Sequence, residues 1–548
     1  MLYFFTKKYS PARLELFLLL PDKRCVIANS EKASARSSFA KRSWPADLVC
    51  IFLLISVCLA IGLPRYRGGI DWADEGFLAY GAVRVMEGQV PNRDFVSLQP
   101  PLSFYTVAAA FKLFGTSLAS LRLLGLSIYV LIPLLIYAIA RNFMNAAFSA
   151  VAALPATIFG IPYFGFVPFA VWQGIVVTLA AVTLYIQALA TKRYWLAFSA
   201  GVLTTFSVFL RHDQAAYAVV SILILLIGLC CAKDAPTSTA ELKRVFALWL
   251  ISGATVAFGF AVFWWREGAL PEMFKQLIIL PLTVYGKTSS LPFPRFNSQS
   301  PLSQNAVTLL YYAPPIVEIL AVIWIVRQIA RRRFYRREAF LTFLTAWSAL
   351  FFCQVLTRSD FGHLLLTLPP FFILTAYGIS ILLAQFRRVI AKISISILTA
   401  AAAICFLCLT SAVALPDLRK FNEVLELDRG GVRIDNGRFV SDFVRRVQQY
   451  VPPDRSILCL PYLPMFYFLC ERRNPTRWNY LWPGDQTLQD HQNLVDQAKN
   501  DPPAVIFITA GDKMVSIPPA ILAYVHREYR HAGDMGYVAV YLPRSATP

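Results

Sequence analysis

Charged residues are scarce in this chain, where Asp, Glu, Lys and Arg make up 15% of the 548 residues. A soluble globular protein carries about a quarter charged residues. Hydrophobic residues instead account for 57% of the chain, and the mean hydropathy is +0.53. Apolar runs of about 20 residues, enough to cross a hydrocarbon core, recur along most of its length. The composition excludes an ordinary soluble protein and predicts a polytopic integral membrane protein.

Several motifs of soluble enzymes are missing. The sequence has no P-loop, no Gly-rich nucleotide fingerprint and no Ser-nucleophile motif, which argues against a soluble nucleotide-linked donor. No metal-ligand spacing relates the five histidines, which are His212, His363, His491, His526 and His531. Of the ten cysteines, only Cys459 and Cys470 fall where a disulfide could form, outside the predicted spans and the N-terminal arm.

The net charge of +20 could indicate a nucleic-acid partner, but the placement of the charges argues for a membrane topology instead. Lys and Arg concentrate in alternate short connections, as they do in cytoplasmic loops. This asymmetry predicts a cytoplasmic N-terminus and an extracytoplasmic C-terminus. We predict about eleven spans, near residues 46–63, 121–140, 146–162, 170–190, 195–210, 215–232, 245–265, 306–326, 339–356, 364–384 and 394–414.

The charge and hydropathy pattern divides the chain into three parts. Residues 1–44 form a basic cytoplasmic arm, and residues 45–415 form the transmembrane module. Residues 416–548 are more polar and predict a small extracytoplasmic α/β domain, with strands at "SILCLPYL", "PAVIFIT" and "YVAVYLP" and helices at "VSDFVRRVQQYV" and "TLQDHQNLVDQAKN". Its aromatic segment "YLPMFYFLCERRNPTRWNYLWPG" fits carbohydrate stacking, contact with the membrane surface or the core of this domain.

The first extracytoplasmic loop, residues 64–120, carries five carboxylates, of which Asp71, Asp74, Glu75 and Asp94 are the site candidates. The stretch "DEGFLAYGAVRVMEG" predicts a short helix with Asp74 and Glu75 in its first turn, where the helix dipole favours anions. The apolar stretch "PPLSFYTVAAAFKLFG" predicts a second helix, lying in the outer membrane interface rather than spanning it.

Two other predicted outer turns carry unusual charge. "LRHDQ" holds Arg211, His212 and Asp213, and "TRSDFGH" holds Arg358, Asp360 and His363. Each turn alone could be an ion pair in the headgroup layer. Three such clusters on one membrane face, however, supply what a site needs to hold an anionic phosphate and to deprotonate a hydroxyl.

The order of these motifs resembles a known family. An Asp-Glu pair opens the first outer helix, then follow "G-x-x-P-x-R-D-F", "PP-L-x-x-Y", a helix ending "K-L-F-G" and an Arg before the second span. This pattern resembles the type C polytopic membrane glycosyltransferases, in the bacterial, family 39-like branch of protein O-mannosyltransferases and the lipid A aminoarabinose transferase. The resemblance is strongest over residues 70–215.

The resemblance implies a reaction and its residues. Such enzymes transfer a sugar from a polyprenyl-phosphate carrier to a glycan, lipid or protein acceptor at the outer leaflet, with inversion, which places this chain in a bacterial inner membrane. It implies that Asp74 is the general base and that Glu75 positions the acceptor or orients Asp74. The remaining candidates bind substrate: Asp71 and Asp94 in the loop, Arg211, His212 and Asp213 at the carrier phosphate, and Arg358, Asp360 and His363 as second candidates.

One departure from the family concerns the residue before the proline of the second loop helix. The aminoarabinose transferase has Lys there, whereas this chain has Gln99 before Pro100. Gln supplies no charge to a phosphate, so another cation must do so, or the carrier binds in a different pose. Divalent metal use varies in the family, and no ligand spacing here requires a metal.

Two other classes of membrane protein remain as alternatives. A transporter or flippase would show paired repeats and polar residues at mid-helix, whereas this chain concentrates its charge at helix ends. A lipid-linked glycan ligase or polymerase usually places its key loop late in the chain, whereas the carboxylate loop here comes first.

Overall fold

The computed structural model describes residues 44–234, 238–285, 289–385, 418–481, 486–509 and 517–545. Apart from short helical segments within residues 154–164 and 270–285, the helices up to residue 385 are, in chain order, α1 (Trp44–Gly62), α2 (Asp74–Met86), α3 (Leu102–Phe114), α4 (Leu118–Ala140), α5 (Ala146–Ala153), α6 (Ala170–Thr191), α7 (Tyr194–Cys231), α8 (Thr239–Arg266), α9 (Leu302–Ala330), α10 (Arg336–Thr357) and α11 (Phe361–Gln385). Within these ranges nine helices are long and apolar enough to cross a membrane, where α5 is counted with the short turns that extend it to Phe164. The mainly helical membrane fold predicted from composition is confirmed.

Helix α7 spans 38 residues and covers two of the predicted transmembrane segments, 195–210 and 215–232. Its backbone leaves the helical region at Arg211 (φ −160°, ψ 92°). At the start of α7, Arg244 of α8 lies 4.1 Å from the ring of Tyr194. The end of α7 connects to the start of α8 through only residues 232–238, too short a link to cross a bilayer. Both ends of α7 therefore lie at the same end of the bundle, and the chain reverses at the predicted turn.

The predicted eleventh span, residues 394–414, and the predicted cytoplasmic arm, residues 1–44 apart from its last residue, lie outside the described residues. Both predicted loop helices are present. Helix α2 begins at Asp74 and ends before Gly88, which has φ +87°. Helix α3 has only 13 residues and ends at Gly115, where φ is also +87°. As predicted, α3 is too short to count among the spans.

The region after residue 417 contains the predicted α/β fold. Strands β1 (Glu423–Val424) and β2 (Arg433–Ile434) form a small antiparallel ribbon. Strands β3 (Ile457–Leu460), β4 (Val505–Thr509), β5 (Tyr529–Met535) and β6 (Val538–Pro543) form a sheet in the order β3-β4-β6-β5, with only β3 and β4 parallel. The helices are α12 (Gly437–Tyr450), α13 (Pro464–Cys470), α14 (Leu488–Asn500) and α15 (Pro519–Glu528). The sequence missed β1, β2, β5, α13 and α15.

Helix α13 joins this region to the first loop. All seven of its residues are buried, and its Met465 N–H donates to the carbonyl of Trp72 (3.2 Å). Gly76 of α2 lies so close that a Cβ there would be 2.3 Å from the Met465 nitrogen. Tyr80 stacks on Tyr467 with ring centroids 4.9 Å apart. The aromatic segment therefore forms a shared core between the C-terminal region and the loop, one of the three alternatives left open by the sequence.

Candidate functional site

The first turn of α2 is fixed by Asp71. Its Oδ1 accepts the backbone N–H groups of Ala73 (2.9 Å) and Asp74 (3.1 Å). Burial, followed by the negative charges of Asp74 and Glu75, raises the pKa of Asp71 to about 7. The side chain thus caps the helix, where N–H groups would otherwise lack partners.

Glu75 is fully buried and forms a bidentate ion pair with Arg122 of α4. The Arg122 Nη2 lies 2.7 Å from Oε2, and Nε contacts Oε1. The same Oε2 accepts the backbone N–H of Asp71 (3.1 Å). With both oxygens occupied and no surface exposed, Glu75 fits the orienting role rather than direct contact with an acceptor.

Asp74 differs from Glu75 in that solvent reaches its side chain, although protein atoms surround much of it. Its Oδ1 accepts a hydrogen bond from the hydroxyl of Tyr462, which lies between β3 and α13. Burial raises the pKa of Asp74, and the Tyr462 hydrogen bond and the charges of Arg358 and His363 oppose this rise. A solvent-accessible carboxyl with a raised pKa has the properties of a general base.

The turn between α10 and α11 brings its charged residues together. Asp360 accepts from Arg358 Nε (2.7 Å) and lies 2.9 Å from His363 Nδ1. It also accepts the backbone N–H of His363 (2.8 Å), which caps α11. Although burial opposes it, bonding to His363 and Arg358 lowers the pKa of Asp360 to about 2. Because the charges of Arg358 and His363 lower the pKa of Asp74, this turn lies close to the first loop.

The third cluster sits at the bend of α7. Arg211 Nε donates to Asp213 Oδ1 (2.8 Å), and Arg211, His212 and Asp213 are all partly buried. Gly174, near the start of α6, leaves room for Arg211, since a Cβ there would lie 2.7 Å from the Cβ of Arg211.

The bend lies at the same end of the helix bundle as the loop. A Cβ at Gly62, the last residue of α1, would lie 3.4 Å from the ring of Phe166, which comes just before α6. The end of α1, which leads into the loop, and the start of α6, which carries Gly174, therefore lie together. That Arg211, Asp74 and Arg358 meet within one sugar phosphate's reach stays a prediction.

Asp94 has structural contacts instead. It pairs with Arg93 (2.8 Å) and accepts the backbone N–H of Val90 (2.7 Å). The hydrogen bond from Arg93 is the main cause that lowers the pKa of Asp94. Arg93 also bonds Glu267 (2.9 Å), which follows α8. These contacts are those of an ordinary ion pair, and the predicted substrate-binding role of Asp94 stays a prediction.

The sequence did not single out Tyr462 as a site residue. It comes 388 residues after Asp74 and sits in the stretch "LPYLPMF" among many aromatics. No local pattern relates the two residues. The contact with Asp74 arises only because α13 packs against α2.

The described residues hold no group of three or more His, Cys, Asp or Glu arranged to bind a metal. The Glu75 oxygens face Arg122, and Asp71 Oδ1 faces backbone N–H groups. Cys459 and Cys470 are both buried free thiols in the structure, so the disulfide considered from the sequence is not formed.

Comparison with known proteins gives matches among solved structures. ArnT from Cupriavidus metallidurans, solved bound to undecaprenyl phosphate, aligns with a TM-score of 0.55 over 93% of this chain and 100% of its own, at 13% identity. The fold is that of the type C glycosyltransferases. The Archaeoglobus fulgidus oligosaccharyltransferase, solved with a tethered acceptor peptide, aligns with a TM-score of 0.53 over 86% of this chain and 70% of its own, at 12% identity.

The type C fold predicted from the motif order is therefore confirmed. The alignment with ArnT extends over 93% of the chain, well beyond residues 70–215, where the sequence resemblance was strongest. No protein-family model matches the sequence, and no curated protein matches it. At 12–13% identity these likenesses establish the fold, and the activity must be argued from the site.

Proposed function

We propose that this protein transfers a sugar from a polyprenyl-phosphate carrier to a hydroxyl acceptor at the outer face of a bacterial inner membrane. The observation that carries the proposal is Asp74, an exposed carboxyl with a raised pKa, influenced by Arg358 and His363. A base and cations suited to a phosphate thus share one site, at the end of the bundle where the first span leads into its loop. The fold is shared with ArnT, which was solved with undecaprenyl phosphate.

In the proposed reaction Asp74 removes the proton of the acceptor hydroxyl. The acceptor oxygen forms a bond to the anomeric carbon as the bond from that carbon to the phosphate oxygen breaks. The electron pair of the broken bond leaves with the polyprenyl phosphate. Attack opposite the leaving group inverts the anomeric centre. The acceptor is a glycan, a lipid or a protein that bears a hydroxyl.

The cations have the role of holding the carrier phosphate. Arg358 donates through Nε to the carboxylate of Asp360. The same carboxylate also bonds His363. Arg211 is arranged in the same way on Asp213. A planar guanidinium can bind a carboxylate along one edge and a phosphate along another. We assign Arg211, with His212, to the phosphate first and Arg358, with His363, second.

The experiment measures sugar transfer in proteoliposomes, with a panel of polyprenyl-phosphate hexoses and pentoses as donors and envelope extract as acceptor. Asp74→Asn should lower turnover by about 10²–10⁴-fold, because it keeps the shape of the side chain but removes the proton acceptor. Its affinity for undecaprenyl phosphate should stay normal. Arg211→Ala should weaken that affinity, since it removes charge from the phosphate.

Asp496→Asn is the matched control, because Asp496 is an exposed carboxylate on α14 that should not affect turnover. Near-normal turnover in Asp74→Asn would move the base to another residue. Equal affinity of the wild type for undecaprenyl phosphate and for undecaprenol would contradict the phosphate site. Movement of a labelled carrier across the bilayer without release of polyprenyl phosphate would indicate a flippase instead.

A further inference from the structure

The C-terminal region contributes a side chain to the candidate base. Tyr462 follows β3 directly, and its hydroxyl donates to Oδ1 of Asp74. Its ring packs edge-on against Tyr480, with centroids 4.9 Å apart. The Tyr480 ring in turn packs edge-on against Phe77 of α2 at 4.9 Å. The Tyr462 ring is thus held by a row of edge-on aromatic contacts that ends on α2, the helix that begins with Asp74.

Both partners of this hydrogen bond are held by backbone contacts. On the loop side, the Asp74 N–H donates to Asp71 (3.1 Å). On the C-terminal side, the N–H of Leu481 donates to the carbonyl of Pro461 (2.7 Å), the residue before Tyr462. The N–H of Asn474 donates to the Tyr80 hydroxyl of α2 (2.8 Å). Because both backbones are fixed, the bond sets the rotation of the Asp74 carboxyl.

We propose that Tyr462 is a positioning residue for Asp74, so that the C-terminal region forms part of the catalytic centre. This inference rests on the proposed role of Asp74 as the base. With Oδ1 occupied by Tyr462, Oδ2 is the oxygen left to accept the proton, and it makes no hydrogen bond to any residue that the structure describes. A base oriented by a third group is a recurring feature of activated catalytic pairs.

The hydrogen bond also affects ionisation. The groups that act on the ionisation of Asp74 are Asp71 from its own loop, Arg358 and His363 from the turn after α10, and Tyr462. The neighbouring Glu75 carboxylate is paired with Arg122. A donor to the charged form of a carboxyl lowers its pKa. Burial and the nearby carboxylates raise the pKa of Tyr462 itself, so this phenol stays protonated and remains the donor.

The test compares Tyr462→Phe with wild type in the proteoliposome assay. The variant keeps the ring that packs on Tyr480 and removes only the donor. We expect turnover to fall about 10-fold, the scale of one hydrogen bond to a charged group. The acid limb of the pH profile should move to higher pH, because the pKa of Asp74 rises without the donor. The affinity for undecaprenyl phosphate should not change.

Tyr524→Phe is the matched control, because that hydroxyl also donates a hydrogen bond, to the carbonyl of Ala498 (3.0 Å), within the C-terminal region and away from Asp74. It should leave both turnover and the acid limb unchanged. A wild-type profile in Tyr462→Phe, or a loss of turnover with an unmoved limb, overturns the positioning role. If Asp74→Asn is inactive while Tyr462→Phe is normal, only this inference fails. If Asp74→Asn is active, the proposed base fails first.

Discussion

The buried pair of Glu75 and Arg122 provides the sharpest test of how the loop is built. Its side chains are 0% and 2% exposed, and Glu75 also accepts the N–H of Asp71. Glu75→Gln keeps the size and one acceptor oxygen of the side chain but leaves the Arg122 charge uncompensated. The sequence left two roles for Glu75, contact with the acceptor or orientation of Asp74, and this substitution distinguishes them.

The expected cost follows from the burial of the pair. Removing one partner of a buried ion pair typically costs about 3–5 kcal/mol, because the other charge stays buried without compensation. Since neither side chain is exposed to solvent, no reduction for screening applies. Replacing both charges, as in Glu75→Gln with Arg122→Met, removes the buried charge and should recover most of this loss.

The assay is thermal unfolding of the purified protein in detergent, followed by turnover in proteoliposomes. Glu75→Gln alone should melt well below wild type, and the double variant should melt close to it and recover transfer. A stable double variant without transfer would show that transfer needs the Glu75 carboxylate itself, beyond its pairing with Arg122. A single variant that melts like wild type would refute the buried pair.

Two further predictions concern the same loop. Gly76→Ala should lower the free energy of unfolding by about 1–3 kcal/mol, because its Cβ would lie 2.3 Å from the Met465 nitrogen. It should also expose residues 418–545 to limited proteolysis. The control is Gly259→Ala, whose Cβ would have nothing within 4 Å. The pKa of Asp71 is raised to about 7 in the folded protein, so the folded state holds this proton more tightly than the unfolded state. Stability should therefore fall as pH rises from about 4 to about 7. Asp71→Asn should reduce that fall, measured as melting temperature against pH, and an unchanged slope would contradict it.

The sequence predicted the helices and strands that depend on local pattern. Apolar runs of membrane length specify spans whatever their neighbours are, because a helix satisfies its own backbone hydrogen bonds in the bilayer. The strands at "SILCLPYL" and "PAVIFIT" correspond to β3 and β4 for a similar reason, as short apolar segments of branched side chains. By contrast, β5 (YRHAGDM) has little apolar character, and only its pairing with β6 makes it a strand.

The candidate site was predicted less completely. The motif order indicated Asp74 and the charge pattern indicated the two charged turns, and the charges of Arg358 and His363 lower the pKa of Asp74. The roles of these residues stay predictions. The loop carboxylates, however, are not equivalent. Glu75 forms a buried ion pair with Arg122, whereas Asp94 forms a more exposed ion pair with Arg93. Sequence spacing places these carboxylates in one loop but cannot say which of them faces inward.

The sequence alone therefore determined that the protein lies in a membrane, that it is mainly helical and which loop holds the candidate carboxylates. These properties follow from hydropathy and helix signals, which depend on neighbouring residues. Only the tertiary structure decided the environment of each charge. Gly76 allows α13 to pack against α2, and this contact between distant segments brings the Tyr462 hydroxyl to Asp74. A pKa depends on burial and on the charges that surround a group in space, and no local pattern records either of them.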